Sequence, residues 1–255
     1  LSTASAPLSN LHRGTAFEKR SLKLLQNNLS MTLQRVGGKE DGGIDLLGWW
    51  WLPDASRDTS GEPLCLGTKD ELGPRRRIRV IAQCKAEKKK IGPKYVRELE
   101  GVLLRYSAMS SSPTSVNSSA EQQPILVSDT PEDIVAPPRF PLVALFISES
   151  PFTQSALLRA YSSPVPFFLL HIPPFPEAQN EVSPDLQKTD IPEMYSNGEN
   201  IGFIGSAIWN PALAGARGIL GGEMEIRWER SLDGDCGRPG IWWRNARLQN
   251  WAPGA

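Results

Sequence analysis

Apolar residues recur along this chain with two periods, and each period names an element. In "RGTAFEKRSLKLLQNNL", Arg13 to Leu29, the residues Glu18, Leu22, Leu25 and Leu29 fall on one stripe at i, i+4, i+7 and i+11. That spacing predicts a helix with Glu18 on its inward side. "GIDLL", Gly43 to Leu47, predicts a short strand, and "RIRVIAQCK", Arg77 to Lys85, predicts another because β-branched residues alternate along it. Residues 49–76 hold three tryptophans, several Gly and Pro and no steady period, which predicts a long insertion in a hairpin. Gly92-Pro93 opens a helix to about Tyr106, with Val96, Leu99, Leu103 and Tyr106 inward. Proline suits that start, since the first-turn N–H it lacks would have no helical partner.

The pattern then lapses and resumes. "SAMSSSPTSVNSSAEQQP" is too polar to bury a face, so disorder is expected over residues 107–138. "PLVALFIS" at 141–148 predicts a buried strand, Ser150-Pro151 the cap and first turn of a helix through about Tyr161, and "VPFFLLHI" at 165–172 one more strand. Residues 173–200, rich in Pro, Asn and acids, read as a loop or linker, and Gly221–Trp228 with Gly240–Arg247 as a terminal hairpin. The order α, β, β, α, β, α, β predicts an α/β core over residues 13–172, a mixed central sheet flanked by helices. Residues 173–255 form a linker and a C-terminal extension packed on or beside it.

Composition narrows the classes. The 255 residues can bury a stable core without disulfides. Cys65, Cys84 and Cys236 are an odd number at wide spacing, which suggests neither a disulfide framework nor a zinc site. No apolar run approaches the roughly 18 residues of a membrane span, so a soluble protein is expected. Residue 1 is Leu, and the chain is read as a processed or trimmed product. His12 and His171 are the only histidines and have no ligand spacing, which argues against zinc or a Ser/His hydrolase.

The charges, 28 basic against 28 acidic, cancel overall but not locally. Lys69 to Arg105 carries twelve basic and five acidic residues, against three basic and eleven acidic between Tyr106 and Asn200. A basic field of that kind suits a polyanionic substrate, or is simply a solvated face.

Chemistry concentrates on two strands. Ile78, Val80, Ala82 and Cys84 should face one side of the second strand, and Gln83 and Lys85 the other. Polar groups on a central strand need partners, and Asp45 of the neighbouring strand, with Ile44 and Leu46 on the opposite face, would supply a charge. The constellation is Glu18, Asp45, Gln83 and Lys85. The Asp45 carboxylate, the Gln83 amide oxygen and the main-chain carbonyl of Cys84 are hard ligands suited to Mg²⁺ or Mn²⁺. Lys85 would orient the attacking water, and Glu18 would hold outer waters or a second ion. Each residue also has an ordinary use. Asp45 can cap a glycine turn, Lys85 can pair with it, Gln83 can be a buried hydrogen-bonding residue, and Glu18 suits a helix start. Lys88, Lys89, Lys90, Lys94 and Arg97 could grip phosphates, and Gly42 and Gly43 would let a nucleic-acid backbone come close. Trp49, Trp50 and Trp51 suit core packing, a partner surface or stacking on bases.

"GTAFEKRSLKLL", "GGKEDGGIDLLG" and "VIAQCKAEKKKIGPKYVRELEG" resemble the three motif blocks of the PD-(D/E)XK nuclease superfamily, in its Mrr-like branch. Asp45 matches the motif aspartate, Gln83 the acidic-or-Gln position, Lys85 the lysine and Glu18 the first-helix glutamate. The resemblance implies a restriction-endonuclease-like core and Mg²⁺- or Mn²⁺-dependent hydrolysis of DNA phosphodiesters. Gln83 departs from the commoner Glu, and a neutral amide holds a divalent ion less tightly. "IGFIGSAIWNPALAG" and the tryptophan-rich end are similar to a fungal mitochondrial family required for respiratory growth. That similarity implies a mitochondrial address and a role in maintaining or degrading mitochondrial DNA. DNA is the expected partner, and a homo-oligomer is compatible with the reading. The alternative is a DNA-binding or scaffold protein that keeps the fold without turnover.

Overall fold

The computed structural model describes residues 10–36, 42–54, 75–111, 140–174, 204–229, 238–248 and 250–253. Within them α1 (Asn10–Asn28) leads into β1 (Met31–Arg35), β2 (Leu46–Pro53) and β3 (Arg75–Lys85). Then come α2 (Pro93–Ser111), β4 (Leu142–Ser148), α3 (Gln154–Tyr161), β5 (Phe167–His171), β6 (Ser206–Trp209) and the short α4 (Pro211–Ala214). The chain closes with β7 (Met224–Glu229), β8 (Arg238–Trp243) and β9 (Ala246–Arg247).

The first six strands form one mixed sheet in chain order. β1, β2 and β3 run antiparallel, β3, β4 and β5 parallel, and β6 returns antiparallel to β5. Since β3, β4 and β5 lie side by side in that order, right-handed crossovers place α2 and α3 on one face. There Ile81, Ala144, Phe146, Phe167 and Leu169 pack against Val96, Leu99, Leu103 and Ala156. The other face packs Val80, Ala82, Leu145 and Phe168 with Phe17, Leu24 and Leu25 of α1 and with Leu213, Met224, Ile241 and Trp243 of the C-terminal segment. The central strands are therefore covered on both faces, and their near-continuous apolar runs follow from that.

Several expectations change in detail. The strand expected at Gly43–Leu47 begins at Leu46 and runs to Pro53. Gly42 and Gly43 have φ of 63° and 88°, left-handed values that keep them in the preceding turn. Residues 49–53, expected in the insertion, continue β2: Trp50 is fully buried and stacks on Phe168 with centroids 5.8 Å apart. Residues 75–76 belong to β3, and the rest of the expected insertion, 55–74, lies outside the described residues. Residues 107–111, expected to be disordered, extend α2, while the remainder of that Ser-rich segment lies outside them. The same holds for 175–200 of the expected linker.

The helix after β4 starts at Gln154, with Thr153 as its N-cap, instead of at Ser150-Pro151. Ser150 is used differently: its hydroxyl donates to the Glu87 carbonyl, and Phe152 bridges to Ile91. β1, β6 and α4 add to the expected elements. The terminal hairpin is present as β7 and β8, with β9 as a third strand.

Candidate functional site

Asp45, one of the polar residues singled out from the sequence, lies where β2 gives way to the turn before it. The Asp45 N–H donates to the Ala82 carbonyl at 2.9 Å, and the Asp45 carbonyl accepts from Val36 N–H at 2.9 Å. This backbone grip holds Asp45 against β3, and its carboxylate oxygen Oδ2 then accepts from the Cys84 N–H at 2.6 Å. The last registered pair of the two strands is Leu46 with Ala82, so Asp45 takes over where the ladder stops. In an extended strand a residue's N–H and C=O point to the same side, which turns the Cys84 carbonyl toward Asp45 as well. One expectation fails here. Ile44 and Leu46 do not share a face, because Leu46 enters the α1-side core and Ile44 packs under α2. The irregular backbone before β2 breaks the alternation that would have aligned them.

Gln83 is 6 % exposed, and its Oε1 has no hydrogen-bond partner. A buried amide oxygen left so forfeits about 1–3 kcal/mol unless something polar reaches it. Gly43 passes close by: a Cβ built there would stand 3.5 Å from Gln83 Nε2. Lys85 projects from the same strand face, with Nζ 5.6 Å from the centre of the Tyr95 ring. The Tyr95 hydroxyl in turn donates to the Glu87 carboxylate at 2.7 Å. That bond pushes the tyrosine's pKa up, since the phenolate would face a carboxylate.

Cys84 points to the opposite face, against the α1-side core. Burial first, then the charges of Asp45 and Glu18, hold its thiol well above its ordinary value, which suits a small core side chain and not a nucleophile. Glu18 thus lies within electrostatic reach of Cys84, but its carboxylate is held by Arg35, at 2.6 Å from Nη2 and 2.8 Å from Nε. Asp45 is brought onto the backbone of Cys84, which Gln83 and Lys85 flank in β3, and the charges of Asp45 and Glu18 both reach the Cys84 thiol.

The expected phosphate-gripping residues frame the same end of β3. Lys88, Lys89 and Lys90 are exposed on a loop pinned by the Ser150 and Ile91 contacts. Lys94 is exposed, paired only weakly with Glu98 at 3.7 Å, and Arg97 is exposed one turn on. The Gly42 carbonyl accepts from Arg105 Nη2 at 3.0 Å. Arg35, Glu87, Tyr95 and Arg105 join the site without having been singled out from the sequence. Glu87, two residues past Lys85 on an alternating pattern, carried the one readable signal.

Among the described residues no three His, Cys, Asp or Glu side chains cluster as a metal centre. The donor set at Asp45 is of another kind: one carboxylate, one unpartnered amide oxygen and one main-chain carbonyl, which fits a hard, partly hydrated ion. No described helix is long and apolar enough to cross a membrane.

Fold and site together define a mixed α/β protein with a polar centre at the end of its central parallel-antiparallel junction strand. Residues 9–129 match the family described as Required for respiratory growth protein 7. The chain is 32 % identical over 124 residues to the mitochondrial Required for respiratory growth protein 7 of Candida glabrata, and 30 % identical over 113 residues to that of Zygosaccharomyces rouxii. These alignments cover 39 % and 36 % of this chain, and 48 % and 47 % of the relatives. An uncharacterized mitochondrial protein of Schizosaccharomyces pombe is 36 % identical over 94 residues, 37 % of this chain and 30 % of its own length. The chain thus spans 30–48 % of the length of these curated relatives. Their names carry the mitochondrial address expected for it. No solved structure matches the chain.

Proposed function

We propose that this chain is a metal-dependent nuclease of the restriction-endonuclease-like type, hydrolysing DNA phosphodiester bonds in mitochondria. One observation carries the reading: the Asp45 carboxylate sits on the backbone of Cys84, between Gln83 with its unpartnered Oε1 and Lys85. Asp45, Gln83 and the Cys84 carbonyl would hold Mg²⁺ or Mn²⁺, which when bound polarises the phosphate and lowers the pKa of a bound water. Lys85, with Nζ 5.6 Å from the centre of the Tyr95 ring, would orient the attacking water and face the charge that develops on the phosphate. The pinned loop with Lys88, Lys89 and Lys90 supplies cations to the flanking phosphates. The relatives' names, mitochondrial and required for respiratory growth, support the compartment as the setting.

The test is incubation of the purified chain with plasmid and linear DNA in Mg²⁺ or Mn²⁺. Cleavage is expected, absent in EDTA and lost in Lys85→Ala; equal cleavage by that variant would refute the role given to Lys85. A second reading, a DNA-binding scaffold without turnover, is favoured by the neutral Gln83 and by the ion pair that holds Glu18 on Arg35. It expects salt-sensitive DNA binding with no cleavage in any divalent ion.

A further inference from the structure

On the face of β3 that carries Ile81, Gln83 and Lys85, the earlier alternate positions are Arg75, Arg77 and Arg79, in steps of about 6.7 Å. Across the ladder from Arg79 stands Trp49 of β2. The Arg77 guanidinium lies 4.5 Å from the Trp49 ring and 4.4 Å from that of Phe140, and Arg79 lies 4.8 Å from Trp49. At the far end Arg75 lies 5.3 Å from the Trp251 ring. No described carboxylate pairs with any of the three, whereas Arg13, Arg35 and Arg159 each meet a glutamate. Both terminal nitrogens of Arg75 are buried without a hydrogen-bond partner. Arg77 is exposed, Arg79 and Trp49 are half-buried, and Phe140 is 36 % exposed, so the row opens to solvent at Arg77 and Arg79.

Stacking on a ring leaves a guanidinium charged and holds its fork of N–H donors in a fixed direction. Arg77 and Arg79, with the buried charge of Arg75 behind them, repel one another, and the rings cannot neutralise them. What removes the repulsion is a ligand with regularly spaced anions. A single small anion answers one guanidinium; a phosphodiester backbone answers the two open ones, and aromatic side chains among the cations suit it further. We infer that the Arg77, Arg79 and Trp49 face of the sheet is a nucleic-acid docking surface that grips the phosphate backbone. The inference rests on the nucleic-acid substrate proposed above and gives that substrate a second hold, about 13 Å along β3 from Gln83.

The experiment measures fluorescence anisotropy of a short labelled DNA strand in EDTA, where cleavage plays no part. Wild type is expected to bind with a steep salt dependence. Arg77→Gln/Arg79→Gln is expected to bind roughly tenfold more weakly, with the log–log salt slope smaller by about 1.4, or about 0.7 for each phosphate no longer neutralised. Should the double variant melt early, Arg77→Gln alone, at an exposed position, is expected to lower the slope by about 0.7. Affinity and slope unchanged in these variants would overturn the surface. So would no binding by wild type at low salt, or tighter arginine-dependent binding to phosphatidylserine vesicles than to DNA. If the nuclease chemistry alone is wrong, no variant cleaves, yet the binding difference remains.

Discussion

Asp45 shows how much a single side chain can depend on its backbone. Its N–H and C=O are both committed to neighbouring strands, so the carboxylate has little choice of direction and ends on the Cys84 N–H. Asp45 could be named from the sequence because glycines at 42 and 43 precede it, and those glycines do adopt left-handed φ. The state of Gln83 could not, because an amide looks the same in sequence whether or not its oxygen has a partner. Gln83→Glu is expected to lower the melting temperature in EDTA, where a second carboxylate would be buried near Asp45, and to bind Mn²⁺ about tenfold more tightly by calorimetry. A variant equally stable in EDTA and in Mn²⁺ would speak against a metal there.

Cys84 makes a separate prediction. Its thiol is held above the ordinary 9.0, so the folded state keeps a proton that the unfolded state releases. This contribution to stability is full below that value and declines as the pH rises through the higher folded value. Mass spectrometry after alkylation at neutral pH should find Cys84 unmodified until the protein is denatured.

Elements were legible in proportion to how far their own pattern determined them. α2 opens on Gly-Pro and keeps a 3.6-residue stripe, and β3 alternates β-branched residues, so both were found in place. β1, "MTLQR", offers one short alternation after Ser30, whose φ of 54° starts the turn into it. β6, "SAIW", is an edge strand with Ile208 exposed and too little apolar contrast to read. The three tryptophans of β2 misled because a run of one residue type hides the alternation; only Trp50 is fully buried.

Two contacts between elements carry testable weight. Thr153 Oγ1 accepts from Ala156 N–H at 3.2 Å, capping α3, and donates to the Ile91 carbonyl at 3.0 Å. Thr153→Ala is expected to cost about 1 kcal/mol by chemical denaturation. Asn210, 2 % exposed, donates to the carbonyls of Ala160, Ser163 and Val165 and accepts from the N–H groups of Phe167 and Leu213. It ties the end of α3, the start of β5 and the short α4 into one corner. Asn210→Ala leaves several buried backbone groups unpaired and is expected to cost at least about 3 kcal/mol in the same measurement.

At the scale of the molecule, strand order was beyond a reading of local pattern, because which strands become neighbours is decided by non-local packing. The C-terminal segment is where this matters most. Trp209 of β6 packs on Phe168 with centroids 5.6 Å apart, and Met224, Ile241 and Trp243 fill the α1-side core. Ser30 binds the Asn250 side chain and the Trp251 N–H, drawing the last described residues to the first hairpin. A chain ending at Ile172 would expose that apolar face, and is expected to bind the dye ANS and aggregate where the full chain does neither. The same packing joins α1 and β3 beside Asp45 in one core, so the chemistry proposed for that site depends on the whole fold. The most direct measurement of that chemistry compares DNA cleavage in Mn²⁺ by wild type and by Asp45→Asn, a variant that keeps side-chain shape and an oxygen for the Cys84 N–H. Cleavage by wild type, with the variant folded, still DNA-binding and inactive, is the expected result; cleavage at the wild-type rate by Asp45→Asn, or none by wild type in any divalent ion, would contradict the account.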